Sequence, residues 1–303
     1  MAWDAVLVHR LSFGWADQIA KVAQWLVVSG RLQKNMGEDD IAESLSRLAA
    51  NDMEVRKSLR LLLSHVPYRF LSPWIRAQDN ASVVSLSQKF ESGCLYAIEG
   101  RGDEMTIELN PEWTDYLSSN YQVLRSFAMW NLTVFVQSRN PNVPSISEKL
   151  QRQRTRSSLA RQRALWESSI ANGSGVRCIY TGRTLTSGDF DLDHFIPWSF
   201  VCHDQMWNLI PADPSVNSSK SDRLPDLDTY LPLLVIAHKR AVGQWLATDR
   251  RNPLLDDYAV IGATPQDIVS MPEEALMGCF RKTFAPLAQI AANMGFEQWM
   301  RKS

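Results

Sequence analysis

Cysteine is scarce in this sequence, and the spacing of the cysteines narrows the class of protein. Only four occur in 303 residues, and no two of them form a Cys-x-x-Cys pair. A small secreted scaffold built on disulfides is therefore excluded, and a reducing, cytoplasmic environment is expected. The first residues also lack the basic start and apolar block that are typical of a signal peptide.

Long apolar runs and an excess of one charge are missing as well. The run LPLLVIA at 231–237 is far shorter than the ~20 apolar residues of a membrane span, so no membrane association is expected. Lysine and arginine number 32, and aspartate and glutamate number 33, which gives a net charge of −1. Because there is no global basic excess, any surface for nucleic acid must be local.

What is present is enough apolar sequence to build a core. Apolar residues make up 45% of the chain and charged residues 21%, as in soluble globular proteins. Helical periodicity dominates the first ~75 residues, a β-hairpin is predicted over 92–109, and a long helix is predicted from Pro111 to about 138. The loop RNPNVPS at 139–145 is the best candidate for a domain boundary.

The chain is accordingly divided into three regions. We expect a mostly helical domain with a short hairpin at 1–145, a basic helix and a small module at 146–228, and a helical region at 229–303. In the last region the helices are expected to break at Pro253 and Pro286. The predicted fold class is α+β, with the small module lying between helical regions.

One stretch concentrates positive charge. Residues 149–163, KLQRQRTRSSLARQR, hold six lysines and arginines and no acid. Such a helix either contacts phosphates or presents a solvated face, and composition alone does not separate the two.

The segment 177–225 carries the chemistry. Residues 190–196 alternate as a strand that ends in Asp193-His194, residues 207–211 form a second extended piece, and Pro214 begins a short helix. The Asp193 carboxylate and the Asn217 amide offer the hard oxygen ligands that suit Mg²⁺ or Mn²⁺. His194 points to the opposite face of the strand, where it is suited to deprotonating an attacking water.

These residues resemble the HNH, or ββα-metal, nucleases, and most closely the HNH domains of RNA-guided CRISPR effector nucleases. The shared pattern is Cys-x-Tyr-[ST]-Gly, then Asp-x-Asp-His-x-x-Pro-x-Ser-Phe, then Asn, then Asn-x-x-Lys. Here it is carried by Cys178, Tyr180, Thr181, Gly182, Asp191, Asp193, His194, Pro197, Ser199, Phe200, Asn208, Asn217 and Lys220. The chain is too short to be a complete RNA-guided effector, and its flanks are not recognised.

The resemblance implies a role for each matching position. His194 would be the general base, and Asp193 and Asn217 would bind the metal ion. In the catalytic set, Asn208 would orient the loop of His194, and Lys220 would lie near the scissile phosphate. A structural zinc is not expected, because Thr181 stands near the place of a second cysteine. A hydrophobic brace is expected instead, consisting of Tyr180, Leu185, Phe190, Trp198 and Trp207.

The implied function is metal-dependent hydrolysis of phosphodiester bonds in DNA. The candidates for nucleic-acid contacts are Arg152, Arg156, Arg161, Arg163 and Arg183. Cleavage of RNA and a non-catalytic adaptor with an HNH-like fold remain alternatives; the intact set of His194, Asp193 and Asn217 argues against the adaptor. By analogy, a nuclease module on a helical body fits an antiviral defence effector, for which a protein sensor or motor is a candidate partner. A restriction enzyme or a mobile-element nuclease is the alternative within the enzyme class.

Overall fold

A computed structural model describes residues 2–14, 16–33, 36–100, 105–151, 158–172, 175–248 and 252–300. The chain divides into two compact units, one formed by Met1–Leu7 with Ser12–Arg139 and the other by Val8–Leu11 with Asn140–Ser303. The loop 139–145, suggested as a boundary, begins at this division. The predicted regions 146–228 and 229–303 both fall within the second unit.

The first unit begins with short helices. They are α1 (Ala2–Leu7), α2 (Ala16–Val28), α3 (Glu38–Asn51), α4 (Met53–Leu63), α5 (Val66–Arg69) and α6 (Asn80–Ser87). Asp52 separates α3 from α4 because its carboxylate accepts hydrogen bonds from the amides of Glu54 and Val55, which caps the new helix. Leu26, Ile41 and Val55 form the centre of a core beneath these helices.

The predicted hairpin and long helix complete this unit. Strands β1 (Tyr96–Glu99) and β2 (Thr106–Leu109) pair antiparallel, as predicted for the hairpin over 92–109. The turn residues 101–104 lie outside the described part of the chain. Helix α7 (Pro111–Arg139) then runs for 29 residues. Pro111 suits its first position because a helix leaves that amide without an internal partner.

The second unit contains the remaining elements. They are α8 (Ile146–Leu150), α9 (Ala160–Ala171), β3 (Asp191–His194), α10 (Trp198–Val201), β4 (Leu209–Ala212), α11 (Pro214–Lys220), α12 (Leu227–Thr248), α13 (Pro265–Ser270) and α14 (Glu273–Asn293). The predicted fold class, mostly helical α+β with a small module, is confirmed. No described helix combines the length and apolarity needed to cross a membrane.

A short piece of the amino-terminal chain, residues 8–11, packs within this second unit. The Nδ1 of His9 lies 2.7 Å from the carbonyl oxygen of Ser199. The guanidinium of Arg10 sits 4.4 Å from the centre of the Phe296 ring, and Leu11 is buried. These four residues, the amino-terminal strap, therefore tie sequence-distant parts of the unit together.

Strands β3 and β4 form a two-stranded antiparallel ribbon with His194 opposite Leu209 and Leu192 opposite Pro211. The amide of Phe195 donates to the carbonyl of Asn208 at 2.8 Å. Because hydrogen-bonded pairs alternate along such a ladder, Pro211 occupies a position where no ladder amide is required. Helix α11 follows directly, capped by Asp213, which accepts from the amide of Ser215.

The carboxy-terminal helices cover the ribbon with aromatic side chains. Trp207 meets Phe284 edge-on at 5.1 Å between ring centres. Four of the five predicted brace residues are buried: Tyr180, Leu185, Phe190 and Trp207. The predicted break at Pro253 is confirmed, since a short 3₁₀ segment (Pro253–Ile261) begins there.

The predicted break at Pro286 is wrong. Helix α14 continues through this proline to Asn293, with Phe284 and Ala288 buried on either side of it. An apolar face that continues past the proline stabilises both halves against the core and offsets the lost hydrogen bond.

Candidate active site

The ribbon presents its two signature residues to different surroundings. Asp193 and His194 are consecutive in β3, so their side chains point to opposite faces of the ribbon. Asp193 is 2% exposed and faces α11, whereas the His194 side chain is 10% exposed and faces the loop before β4. Asp193 and His194 therefore belong to two separate clusters of side chains, one on each face of the ribbon.

The Asp193 cluster is a buried ion pair. One carboxylate oxygen accepts a hydrogen bond from the Lys220 ammonium at 2.9 Å, and the other accepts from the Tyr180 hydroxyl at 2.5 Å. Lys220 also donates to the carbonyl oxygen of His194 at 2.7 Å, and its side chain is fully buried. Burial and the neighbouring Asp193 charge raise the pKa of Tyr180 well above its ordinary value, so this hydroxyl remains a donor.

Lys220, which is predicted to lie near a scissile phosphate, has a buried side chain in the structure. The ammonium lies at the end of α11 on the inner side of β3, with both acceptors inside the protein. In this arrangement it neutralises Asp193 and fastens helix to strand, because a buried charge needs a paired counter-charge.

Asn217 lies one turn earlier on α11 and faces the start of β3. Its amide nitrogen donates to the Asp191 carboxylate at 3.4 Å. The guanidinium of Arg163 is 3.7 Å from the same carboxylate and donates to the carbonyl of Phe190 at 2.7 Å. Asp191 is 43% exposed in its side chain, which makes it the accessible carboxylate of the ribbon.

Asn208 is buried and bonds across the loop to a single residue. Its side-chain oxygen accepts from the amide of Ile196 at 2.8 Å, and its side-chain nitrogen donates to the Ile196 carbonyl at 2.9 Å. This pair of hydrogen bonds joins the residues that follow β3 to the residue that precedes β4.

His194 has a carboxylate partner that was not predicted. Its Nε2 lies 2.9 Å from an oxygen of Asp204, whose side chain is 21% exposed. Because an ionised carboxylate only accepts hydrogen bonds, this contact places a proton on Nε2. Nδ1 is then the nitrogen with a free lone pair in the neutral imidazole.

The loop that carries Asp204 is held at several points. Gln162 of α9 donates to the Asp204 carbonyl at 3.1 Å, and the Met206 amide donates to Asp257 at 2.8 Å. The adjacent His203 is largely buried, and burial, together with the charge of His194, lowers its pKa to about 4. His203 is therefore neutral when His194 would act.

The predicted arginines have different surroundings. Arg152 and Arg156 lie outside the described residues, and Arg161 is exposed on α9. Arg183 forms ion pairs at 2.7 Å with both Asp189 and Asp213. Lys149, which opens the basic stretch, is buried in α8, where its ammonium donates to the Pro144 carbonyl. Burial lowers the pKa of Lys149 to about 8, so it is no phosphate contact on an open surface.

The side-chain oxygens of Asp191, Asp193 and Asn217 are of the type that binds a divalent cation, but they are not equally accessible to one. Both oxygens of Asp193 already accept hydrogen bonds, so direct coordination requires Lys220 or Tyr180 to release it. Asp191 and Asn217 adjoin each other, and the Asp191 side chain is far more exposed than that of Asp193. Among the described residues, no three His, Cys, Asp or Glu side chains are placed to share a metal ion.

Asp204 and Tyr180 are the residues that sequence reasoning missed in these roles. Tyr180 is assigned to the family pattern and the hydrophobic brace, and no role is predicted for Asp204 from the sequence. A signal was available for Asp204, since it is an acid placed ten residues after His194 and before the first signature Asn. Only the fold of the loop, however, shows that this acid returns to the imidazole.

Comparison with known proteins agrees with this geometry. Residues 178–226 match the family model described as HNH endonuclease, which confirms the predicted HNH resemblance of this segment. No curated protein and no solved structure matches the chain. The match covers this segment alone, and the likeness to CRISPR effectors remains a prediction.

Proposed function

We propose that this protein is a metal-dependent endonuclease that hydrolyses phosphodiester bonds of DNA, with His194 as the general base. The observation that carries the proposal is the His194–Asp204 pair at 2.9 Å, within a segment that matches the HNH endonuclease model. A carboxylate that fixes the tautomer of a histidine leaves one ring nitrogen ready to accept a proton.

In this proposal each residue acts from its place in the ribbon. Nδ1 of His194 takes a proton from the attacking water, and Asp204 holds the ring and stabilises the imidazolium that forms. Asn208 keeps the two loop ends together, so the end of β3 that carries His194 stays fixed relative to the loop that carries Asp204. Lys220 acts inside the protein by fastening α11 to β3 rather than by contacting phosphate.

The oxygen ligands of the ribbon would hold a Mg²⁺ or Mn²⁺ ion. Asn217 and Asp191 are the accessible ligands, and Asp193 joins them if its bond to Lys220 opens. When bound, such an ion supplies positive charge to the phosphate and the departing oxygen. The affinity for metal should then fall in Asp191→Ala and Asn217→Ala, as measured by calorimetry with Mn²⁺.

Binding of DNA would depend on local arginines, because the net charge is −1. Arg161 is exposed, and Arg152 and Arg156 complete the proposed phosphate-binding set. Arg163 and Arg183 already face carboxylates and would contribute less. The affinity should fall steeply with salt if several arginines contact phosphates.

The decisive experiment is cleavage of supercoiled plasmid. The wild type should nick or linearise it with Mg²⁺ or Mn²⁺, and EDTA or His194→Ala should abolish cleavage. His65→Ala, which replaces an exposed histidine in the first unit, is the matched control and should cut normally. Cleavage that survives in His194→Ala would refute the assignment of the base.

The same assay separates the alternatives. Preferential cleavage of RNA would show that RNA, and not DNA, is the substrate. Absence of both cleavage and metal binding would favour the adaptor, in which the HNH shape binds nucleic acid without cutting it. For the antiviral role, the test is protection of bacteria from phage infection by the wild type and loss of protection in His194→Ala; a sensor or motor would then be sought as a partner.

A further inference from the structure

Helix α7 of the first unit exposes large apolar side chains along most of its length. All 29 of its residues are described, and Val136 alone among them is buried. Phe127 and Trp130 are each 68% exposed and Val123 is 70% exposed. A soluble monomer rarely exposes so many large apolar side chains on one helix.

The exposed residues follow the spacing of a coiled-coil seam. Six residues spaced alternately four and three positions apart lie on one side of the helix. We call this set the α7 seam: Tyr116, Asn120, Val123, Phe127, Trp130 and Val134. This is the repeat that keeps apolar side chains facing a neighbouring helix. Ser119, Ser126 and Thr133 flank the seam, and such small side chains allow another backbone to approach closely.

We propose that the α7 seam packs against the α7 seam of a second copy of this chain, with the two helices antiparallel. The charges of the helix favour this occupant. Both acids, Glu112 and Asp115, lie in the first five residues, and both arginines, Arg125 and Arg139, lie further along.

An antiparallel pair is in register when Tyr116 lies opposite Val134. Glu112 then lies near Arg139 of the second copy, and opposite helix dipole ends come together. A parallel pair aligns like charges and like dipole ends, and Arg125 lies on the far side of the helix in either arrangement.

The available area agrees with a dimer. The five apolar seam residues are 51–70% exposed. Taking the areas that such side chains bury, this leaves on the order of 600 Å² of apolar surface per chain. Stable interfaces bury about 800 Å² on each partner, and the flanking side chains make up the difference. The helix is about 43 Å long at 1.5 Å per residue, which is long enough for several layers of side chains.

Sedimentation equilibrium of the full chain tests the proposal. The wild type should be a dimer, and Phe127→Glu and Trp130→Glu should each weaken dimerisation at least about 100-fold, because each places an uncompensated charge in the seam. Ser118→Glu adds the same charge on the far side of the same helix and should leave the dimer intact. Circular dichroism should show an unchanged fold in all three variants, since these side chains are exposed.

Disulfide trapping tests the orientation. Tyr116→Cys chains mixed with Val134→Cys chains should cross-link efficiently, whereas either variant alone should not. Cross-linking of Tyr116→Cys with itself would overturn the antiparallel arrangement. A wild type that stays monomeric at about 100 μM, or a dimer that both Glu variants leave intact, would overturn the proposal and indicate a different protein on the seam. None of these measurements depends on nuclease activity.

Discussion

The buried Lys220–Asp193 pair permits a test that separates two roles of Lys220. In Lys220→Met the ammonium disappears together with its bonds to Asp193 and His194, which measure 2.9 and 2.7 Å. The Asp193 carboxylate then stays buried with the Tyr180 hydroxyl as its remaining partner. Breaking a buried pair in this way typically costs about 3–5 kcal/mol, so we expect a loss of that size in the second unit.

The measurement is urea unfolding followed by pulsed hydrogen exchange, read on peptides from β3 and α11. This readout reports on the unit that contains the pair, so unfolding of the other unit does not obscure it. Lys282→Met, which removes an exposed lysine of α14, is the control and should change stability by less than about 0.5 kcal/mol. Adding Asp193→Asn to Lys220→Met should recover part of the loss, because it removes the unpaired charge.

A small effect would refute the reasoning. If Lys220→Met loses less than about 1 kcal/mol, Lys220 is no buried counter-ion in solution. A stable Lys220→Met protein that no longer cleaves plasmid would instead support the phosphate contact implied by the family resemblance. The two roles therefore give opposite patterns of stability and activity.

The remaining predictions concern a buried histidine and the loop around the base. Burial lowers the pKa of His238 to about 3, so His238 takes up a proton on unfolding when the pH is below about 6.5. Its contribution should therefore lower the free energy of unfolding by roughly 2 kcal/mol as the pH falls from 7.5 to 5. His238→Asn keeps a partner for Tyr258 and should remove that part of the pH dependence in urea titrations at both pH values; an unchanged slope would contradict the assignment. Asp204→Asn should lower kcat at least about 10-fold at constant KM in a plasmid-nicking assay, since it unsettles the tautomer of His194; an unchanged kcat would rule out the positioning role. Asn208→Ala removes both bonds to Ile196 and should destabilise the second unit by about 2–4 kcal/mol in the same exchange experiment, because the paired backbone groups are left buried; a loss below about 0.5 kcal/mol would contradict this.

Local features of the fold were predictable because they depend on neighbours in sequence. The cap at Asp52, the proline at the start of α7 and the hairpin of β1 and β2 all follow from short patterns. The HNH segment was predictable for a related reason, since its signature residues fall in order within residues 178–226.

Features that depend on tertiary contacts were not predictable in the same way. The surroundings of Lys220 are set by the packing of α11 on β3, and its charge alone suggests an exposed position. The partnership of His194 and Asp204 depends on a loop held by Gln162, a residue 42 positions earlier in the chain. A proline such as Pro286 predicts the end of a helix, and only the packing of the apolar residues on both sides of it shows that α14 continues.

The amino-terminal strap has a consequence for biosynthesis. His9 contacts Ser199, 190 residues later in the chain. Arg10 contacts Phe296, which is synthesised later still. At about 5–20 residues per second, a delay of roughly 15–60 s separates the emergence of the two sides. The Arg10 contact therefore forms only after the intervening first unit has been synthesised, and the second unit is complete only once Phe296 has emerged. A nascent chain that stalls before Phe296 carries the residues of the HNH segment and the Ser199 partner of His9. It lacks the contact between Arg10 and Phe296.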